Sequence, residues 1–381
     1  VSGPDLGVIG AGVFGAATAD AAARRGWRVT LYEAHEPPAD GASSHDVSKV
    51  IRATYGAATA RYGPLTLESL AAWETLQREA RVQRGAGQAL LHRTGVVLMG
   101  DRLDPGTFLG DSLTGMAALG KPVSALTAAE GRRRWPGLGW DGVEVAVVDD
   151  DGGWLAATAC VRALVARAVA HGATLRAHSP VRGIDEDASG VTLRLDAGPV
   201  RHDRVVVAAG PWVKRLLPAA PATPTRQHVL WLRPPDARPF AAPRLPVWID
   251  DLAGAGWYGF PAHPAGLVKL GHHAWTDEVD ADVDRTPDPA WLAHAVAAAR
   301  RRLPELPPDC PAEARTCLYT NSPAGDVVVA AVPGAANVVL AGLGSGHGFK
   351  LGPAVGRLAV EAALGAPPTL PWPGVGVRAV W

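Results

Sequence analysis

The stretch Asp5-Leu-Gly-Val-Ile-Gly10-Ala-Gly12-Val-Phe-Gly15 opens the chain's chemistry, and the residues between it and Glu33 decide how it is read. Residues 5–10 are a short apolar run suited to a buried strand, and residues 13–25 are alanine-rich and helical. Gly26 closes that helix, and Trp27 to Glu33 read as a second strand. Gly10, Gly12 and Gly15 satisfy G-x-G-x-x-G at the strand-to-helix junction. The first permits a tight turn, the second admits a pyrophosphate against backbone, and the third lets helix pack on strand. The helix N-terminus offers free N–H groups and the positive end of a dipole to phosphate. Glu33 stands where an acid takes up ribose hydroxyls. The βαβ order predicts a Rossmann-type dinucleotide site, and the glycine motif alone leaves NAD and FAD both open.

Composition narrows the classes around that site. The 381 residues suffice for two lobes, 48% are hydrophobic, and 37 basic residues balance 37 acidic ones. A neutral chain without basic–aromatic runs gives no electrostatic footing for nucleic acid, and no apolar run is long enough for a bilayer. The expected ligand is a small molecule, with no nucleic-acid or membrane partner and no metal. Three cysteines, Cys160, Cys310 and Cys317, make no disulfide framework, and the chain shows no signal-like segment, so cytoplasmic residence is expected. A monomer is the separate expectation for oligomeric state. Only five of the 37 basic residues are lysines: Lys49, Lys121, Lys214, Lys269 and Lys350. A lysine kept in so arginine-biased a chain points to a compact ammonium with a movable pKa.

Helical patterns lie near 64–80, 127–134, 155–171, 290–302 and 353–364. Strands are expected at 174–177, 191–195, 203–208, 327–331 and 338–341. Residues 222–275 are rich in Trp and Pro and suggest an antiparallel sheet. Nucleotide-type strands at the start, middle and end imply an α/β (α+β) fold: a discontinuous Rossmann-type domain over 1–90, 150–220 and 325–381, interleaved with an antiparallel-sheet substrate domain over 91–149 and 221–324. Arg204-Val-Val-Val-Ala-Ala-Gly210 resembles the second fingerprint of two-dinucleotide-fold flavoproteins. Ser179-Pro-Val181 is read as a strand end holding adenine. Both favour FAD over NAD.

Four further segments carry a family resemblance over Val8 to about Leu364: Ser43-Ser44-His45 with Ile51-Arg52 and Tyr55-Gly56, Trp257-Tyr258-Gly-Phe-Pro261, Cys317-Leu-Tyr319-Thr320, and Ser345-Gly346-His-Gly348-Phe-Lys350. The chain resembles the monomeric sarcosine oxidase and N-methyltryptophan oxidase group of the D-amino-acid-oxidase-type flavoproteins. The resemblance implies FAD joined through a thioether at Cys317, and a substrate carboxylate held by Arg52 and Lys350. It implies Lys269 as the cation that promotes reaction of reduced flavin with O2, and Tyr258, His273 and Tyr319 as pocket walls. Ser43, Ser44, His45 and Lys49 fall near the flavin, with lysine at 49 where arginine is usual. The turn containing Gly344, Gly346 and Gly348 would cradle an electron-rich flavin edge.

The implied activity is oxidation of the C–N bond of a secondary amino acid, N-methyl or cyclic, to an imine, with O2 reduced to H2O2. A tailoring oxidase for a cyclic imino acid or larger amine and an electron-transfer dehydrogenase subunit are the alternatives. A non-catalytic flavin-binding module would not be expected to keep Arg52, Lys269 and Lys350 together. The chain departs from the family over Asn321–Ala331, where the acid expected at the strand's end is alanine. Trp231, Trp248, Trp257 and Trp275 suggest a pocket wall unlike one for a substrate as small as sarcosine.

Overall fold

The computed structural model describes residues 3–84, 89–251, 256–274 and 276–365. Its first sheet has six strands in the order Val328–Val332, Ala335–Gly342, Arg204–Val207, Asp5–Ile9, Arg28–Tyr32 and Thr174–Arg176. All neighbours run parallel except the outer hairpin Val328–Val332 with Ala335–Gly342. Strands from distant parts of the sequence therefore become neighbours around Asp5–Ile9, where Leu6 stands opposite both Val29 and Arg204.

Helix Val13–Ala23 lacks an amphipathic stripe because it is covered on nearly every side. Helices Ala157–Ala170 and Gly352–Ala363 flank it, and its alanines let their backbones come close. A Cβ at Gly356 would lie 2.5 Å from the Ala17 backbone. The Ser179-Pro-Val181 reading needs correction: the preceding strand ends at Arg176, and Val181 begins the next one, Val181–Asp187.

The second sheet has eight strands: Ala312–Asn321, Thr223–Leu232, Val268–His272, Trp257–Gly259, Val247–Asp250, Val96–Gly100, Val145–Asp149 and Ser124–Thr127. It is antiparallel except where Val247–Asp250 joins Val96–Gly100. That joint merges the 96–149 and 223–321 segments into one surface. Helix Pro289–Arg302 closes one face over a core containing Leu230, Leu270, Trp248 and Trp257. The tryptophan reading is corrected for two of the four residues, while Trp231 lines a cavity. Trp248 is fully buried and Trp257 nearly so, both in this core, and Trp275 lies outside the described residues.

Ala312–Asn321 pairs along its whole length with Thr223–Leu232, placing Cys317 opposite Gln227 and Tyr319 opposite Thr225. Strand alternation puts Cys317 and Tyr319 on one face. Lys269 enters from the next strand, opposite Trp231. Among the described residues no helix is long and apolar enough to cross a membrane.

Candidate active site

The first cavity follows the tip of the parallel sheet. Gly10 has φ +95°, and a Cβ there would meet the Ala208 carbonyl oxygen at 2.5 Å; a Cβ at Gly15 would meet the Gly10 carbonyl oxygen at 1.7 Å. Gly12 caps the helix without a side-chain hydrogen bond, leaving first-turn amides directed at a ligand. The Val13 amide donates to Ser44 Oγ at 3.0 Å and the Ala11 amide to Glu33 Oε2 at 2.8 Å. The cavity, about 480 Å³, is lined by Gly10, Gly12, Glu33, Ser43, Ser44 and Lys49. It continues past Val181 and Gly210 to Cys317, Tyr319, Gly344, Gly346 and Gly348. Helix-end amides and an acid at one end, with a thiol and a glycine turn at the other, suit an elongated dinucleotide. Gly346 has φ +78°, and a Cβ on it would lie 2.3 Å from the Tyr319 ring. The turn and the tyrosine can therefore share this wall only if residue 346 is glycine.

The second feature is a buried cationic cage. Lys350, 4% exposed, sits in the short turn Phe349–Leu351, whose Lys350 carbonyl accepts a hydrogen bond from Trp73 Nε1 at 2.9 Å. Its Nζ lies 4.8 Å from the Tyr55 ring centre, and the Arg52 guanidinium lies 5.0 Å from the same ring and 5.2 Å from that of Phe108. No carboxylate pairs with either cation among the described residues. Burial, then the neighbouring Arg52, pushes Lys350 well below the usual ammonium range, and burial lowers Arg52 as well. Arg52 Nη1 is buried without a hydrogen-bond partner, while the Tyr55 hydroxyl has Thr66 beside it. Unpaired buried donors of this kind are costly unless a ligand meets them.

Histidines complete the cage. His347 donates from Nε2 to the Gly325 carbonyl at 2.9 Å, while its buried Nδ1 has no partner. Burial first, then Lys350, pushes its pKa down to about 3, so it is neutral. The His273 pKa is lowered by desolvation, Arg52 and Lys350, although its surface remains exposed, and its Nδ1 lies 3.4 Å from the Tyr319 hydroxyl. The Tyr258 and Tyr319 hydroxyls interact, and burial raises both pKa values. Tyr62 stacks on Tyr55 at 4.9 Å and is fixed by Asp326, which accepts from its hydroxyl at 2.6 Å and from Arg61 at 2.6 Å. Asp326 belongs to the segment where the sequence departs from the family pattern.

Lys269, 2% exposed, is not a lone cation. Its Nζ donates to Asp46 Oδ2 and, at 2.8 Å, to the Ser48 carbonyl. Lys49 reaches the same Oδ2 at 2.9 Å. Burial opposes the charge on Asp46, but the two ammoniums win and hold its carboxyl far below the usual range. Burial lowers Lys269 to about 8 in spite of Asp46, whereas the less buried Lys49 is raised by Asp46.

A larger cavity of about 1010 Å³ lies elsewhere, lined by His45, Asp46, Arg162, Trp231, Arg315 and Cys317 among others. His45 faces this cavity and not the dinucleotide groove, with Asp40 at 3.1 Å from its Nδ1. Cys317 borders both spaces. Cys160 is fully buried, and neither it nor Cys310 borders either of them. Sequence reasoning assigned no role to Asp46, Tyr55, His347 or Asp326. The Asp46–Lys49 spacing was a readable signal for the first. The others gain their meaning from contacts between segments far apart in the chain.

The family described as FAD dependent oxidoreductase (DAO) matches residues 5–362. The chain belongs to this family. It is 31% identical over 370 residues to N-methyl-L-tryptophan oxidase of Salmonella heidelberg (strain SL476), covering 96% of each chain. The corresponding oxidase of Citrobacter koseri is 30% identical over 368 residues, 96% of this chain and 95% of that one. Among solved structures, NikD, an unusual amino acid oxidase essential for nikkomycin biosynthesis, superposes with a TM-score of 0.78 at 25% identity, covering 96% of this chain and 94% of that one. L-proline dehydrogenase from P. horikoshii shares the fold at a TM-score of 0.82 and 19% identity, covering 97% and 96%. This member of the DAO family is thus an FAD-dependent amino acid or amine oxidase with a parallel Rossmann-like sheet and an antiparallel second sheet.

Proposed function

We propose that the protein oxidises the C–N bond of a secondary amino acid, N-methyl or cyclic, to an imine and passes the electrons to O2, giving H2O2. The observation that carries this reading is the half-buried Arg52 and the buried Lys350 sharing the Tyr55 ring, with no carboxylate in ion-pair contact with either among the described residues; Asp149 and Asp251 act on Arg52 only from further away. An amino-acid carboxylate supplies the missing anion. The Arg52 fork and the Lys350 point charge then fix its orientation, and Arg52 Nη1 gains an acceptor. His347, held neutral, presents a ring nitrogen without adding charge. Tyr258 and Tyr319 stay protonated and form a polar wall.

Gly10 to Gly15 and Glu33 would hold the ADP half of FAD, and the 344–348 turn its ring edge. Cys317, the cysteine that borders the groove, would provide the thioether. Bound there, the flavin supplies the two-electron oxidation and the return of electrons to O2. Lys269 offers positive charge for the anion that develops on oxygen.

The test is a panel of sarcosine, N-methyl-L-tryptophan and cyclic imino acids, read by O2 consumption and H2O2 release. Turnover confined to primary amines, or to artificial electron acceptors, would overturn this reading. A second reading, a biosynthetic tailoring oxidase for a cyclic imino acid, is supported by the likeness to NikD. Rapid turnover of sarcosine alone in the same panel would remove it.

A further inference from the structure

We propose that Asp46 is a positioning residue for the reaction with oxygen: its carboxylate binds Lys49 and Lys269 into one unit and keeps the Lys269 ammonium in place and charged. This rests on the reading of Lys269 as the oxygen-side cation.

The geometry leaves little freedom. Lys269 projects from strand Val268–His272 into a space with two acceptors, Asp46 Oδ2 and the Ser48 carbonyl, and with the Phe260 ring 5.0 Å away. Asp46 is itself clamped. Its Oδ1 accepts from the Val47 amide at 2.7 Å. Its backbone carbonyl accepts from the amide and hydroxyl of Thr158, at 3.1 and 3.0 Å, in the first turn of helix Ala157–Ala170. One oxygen thus serves two ammoniums, and the unit carries a single net positive charge.

Without the carboxylate, two ammoniums would share a buried site with only a backbone carbonyl between them. The cheapest response is loss of a proton from the more buried one. Lys269 is 2% exposed against 20% for Lys49, so Lys269 becomes the amine. The other titratable groups facing the pair are the Cys317 thiol and, towards Lys49, Tyr319. Tyr258 faces Asp46 as well, and none of these groups is a carboxylate that could replace it. A neutral Lys269 cannot stabilise an anion developing on oxygen.

The experiment has two arms. In the first, thermal unfolding is followed from about pH 6 to about pH 9, with and without added FAD, for the wild type, Asp46→Asn, Lys269→Met and the double variant. Asp46→Asn is expected to lower the Tm by several degrees. The deficit should shrink as pH rises, because a buried lysine with a lowered pKa destabilises least once deprotonated. Removing Lys269 as well should recover most of the loss. A deficit that ignores pH and that the double variant does not repair would overturn the unit.

In the second arm, dithionite-reduced holoenzyme is mixed with O2. Asp46→Asn should reoxidise roughly 10- to 100-fold more slowly at neutral pH, with partial rescue by Asp46→Glu and no further loss when added to Lys269→Met. Wild-type reoxidation in Asp46→Asn would overturn the proposal. Wild-type reoxidation in Lys269→Met would instead sink the underlying reading of Lys269, leaving the unfolding cycle to judge the Lys49–Asp46–Lys269 unit by itself.

Discussion

Lys269 and Lys350 are buried almost equally, at 2% and 4% exposure, yet they keep opposite company. Lys269 has a carboxylate and a carbonyl in hydrogen-bonding contact, and a second lysine behind the carboxylate. Lys350 has an aromatic ring and an arginine. The first ammonium is satisfied by the fold. The second is left for a ligand, and its cost is recovered only when an anion arrives. Equal burial therefore marks two different tasks, and what separates them is the partner each residue lacks or has.

The largest effect expected from breaking this contrast is on the unpaired side. Lys350→Met should lower kcat/KM for an amino acid by about 10²- to 10³-fold, mostly through KM, since the lost contact is a desolvated charge pair worth about 3–4 kcal/mol. The ligand-free protein should meanwhile be no less stable, because a buried lysine without an anionic partner in contact has been removed. A marked fall in Tm would show that Lys350 has a partner within the fold.

Lys269→Met should slow flavin reoxidation by about 10²- to 10³-fold. It should leave reduction of the flavin by substrate near normal, as rapid mixing of each half-reaction would show. Next in size is a proton count. Because burial and Arg52 hold Lys350 well below its ordinary pKa and a bound carboxylate raises it again, binding should take up to about one proton and weaken as pH rises. Calorimetry in buffers of different ionisation heat measures this, and proton release on binding would contradict the cage. The smallest effect on stability is expected for Cys317→Ser, a partly buried side chain on a fully paired strand. Its signature should be chemical: acid-precipitated wild type keeps its yellow colour and an FAD-sized mass on the Cys317 peptide, and the variant loses both.

The dinucleotide end of the molecule was legible because its signals are local. Gly10, Gly12, Gly15 and Glu33 act within one strand–helix–strand unit, and each is required by backbone geometry that the spacing itself displays. Helices were legible for the same reason, those near 157–170 and 352–363 beside it and that near 289–302 on the second sheet, since all follow apolar periodicity. Helix Phe108–Ala118 and strands Val96–Gly100 and Val145–Asp149 carry no comparable local signal. Continuous apolar runs do not reveal which sheet will bury them. Trp248 and Trp257 misled for a related reason, since an aromatic fills a core as readily as a pocket wall.

Sequence alone determined the Rossmann-type opening and the family, because glycines at a strand–helix junction are restricted by their own covalent structure, and it proposed a short set of candidate residues for the chemistry. Tertiary structure decided which of those residues stand together and in what charge state. Asp46 meets Lys269 across 223 positions of chain, and Tyr62 meets Asp326 across 264. A buried charge takes its pKa from neighbours that only the folded chain supplies.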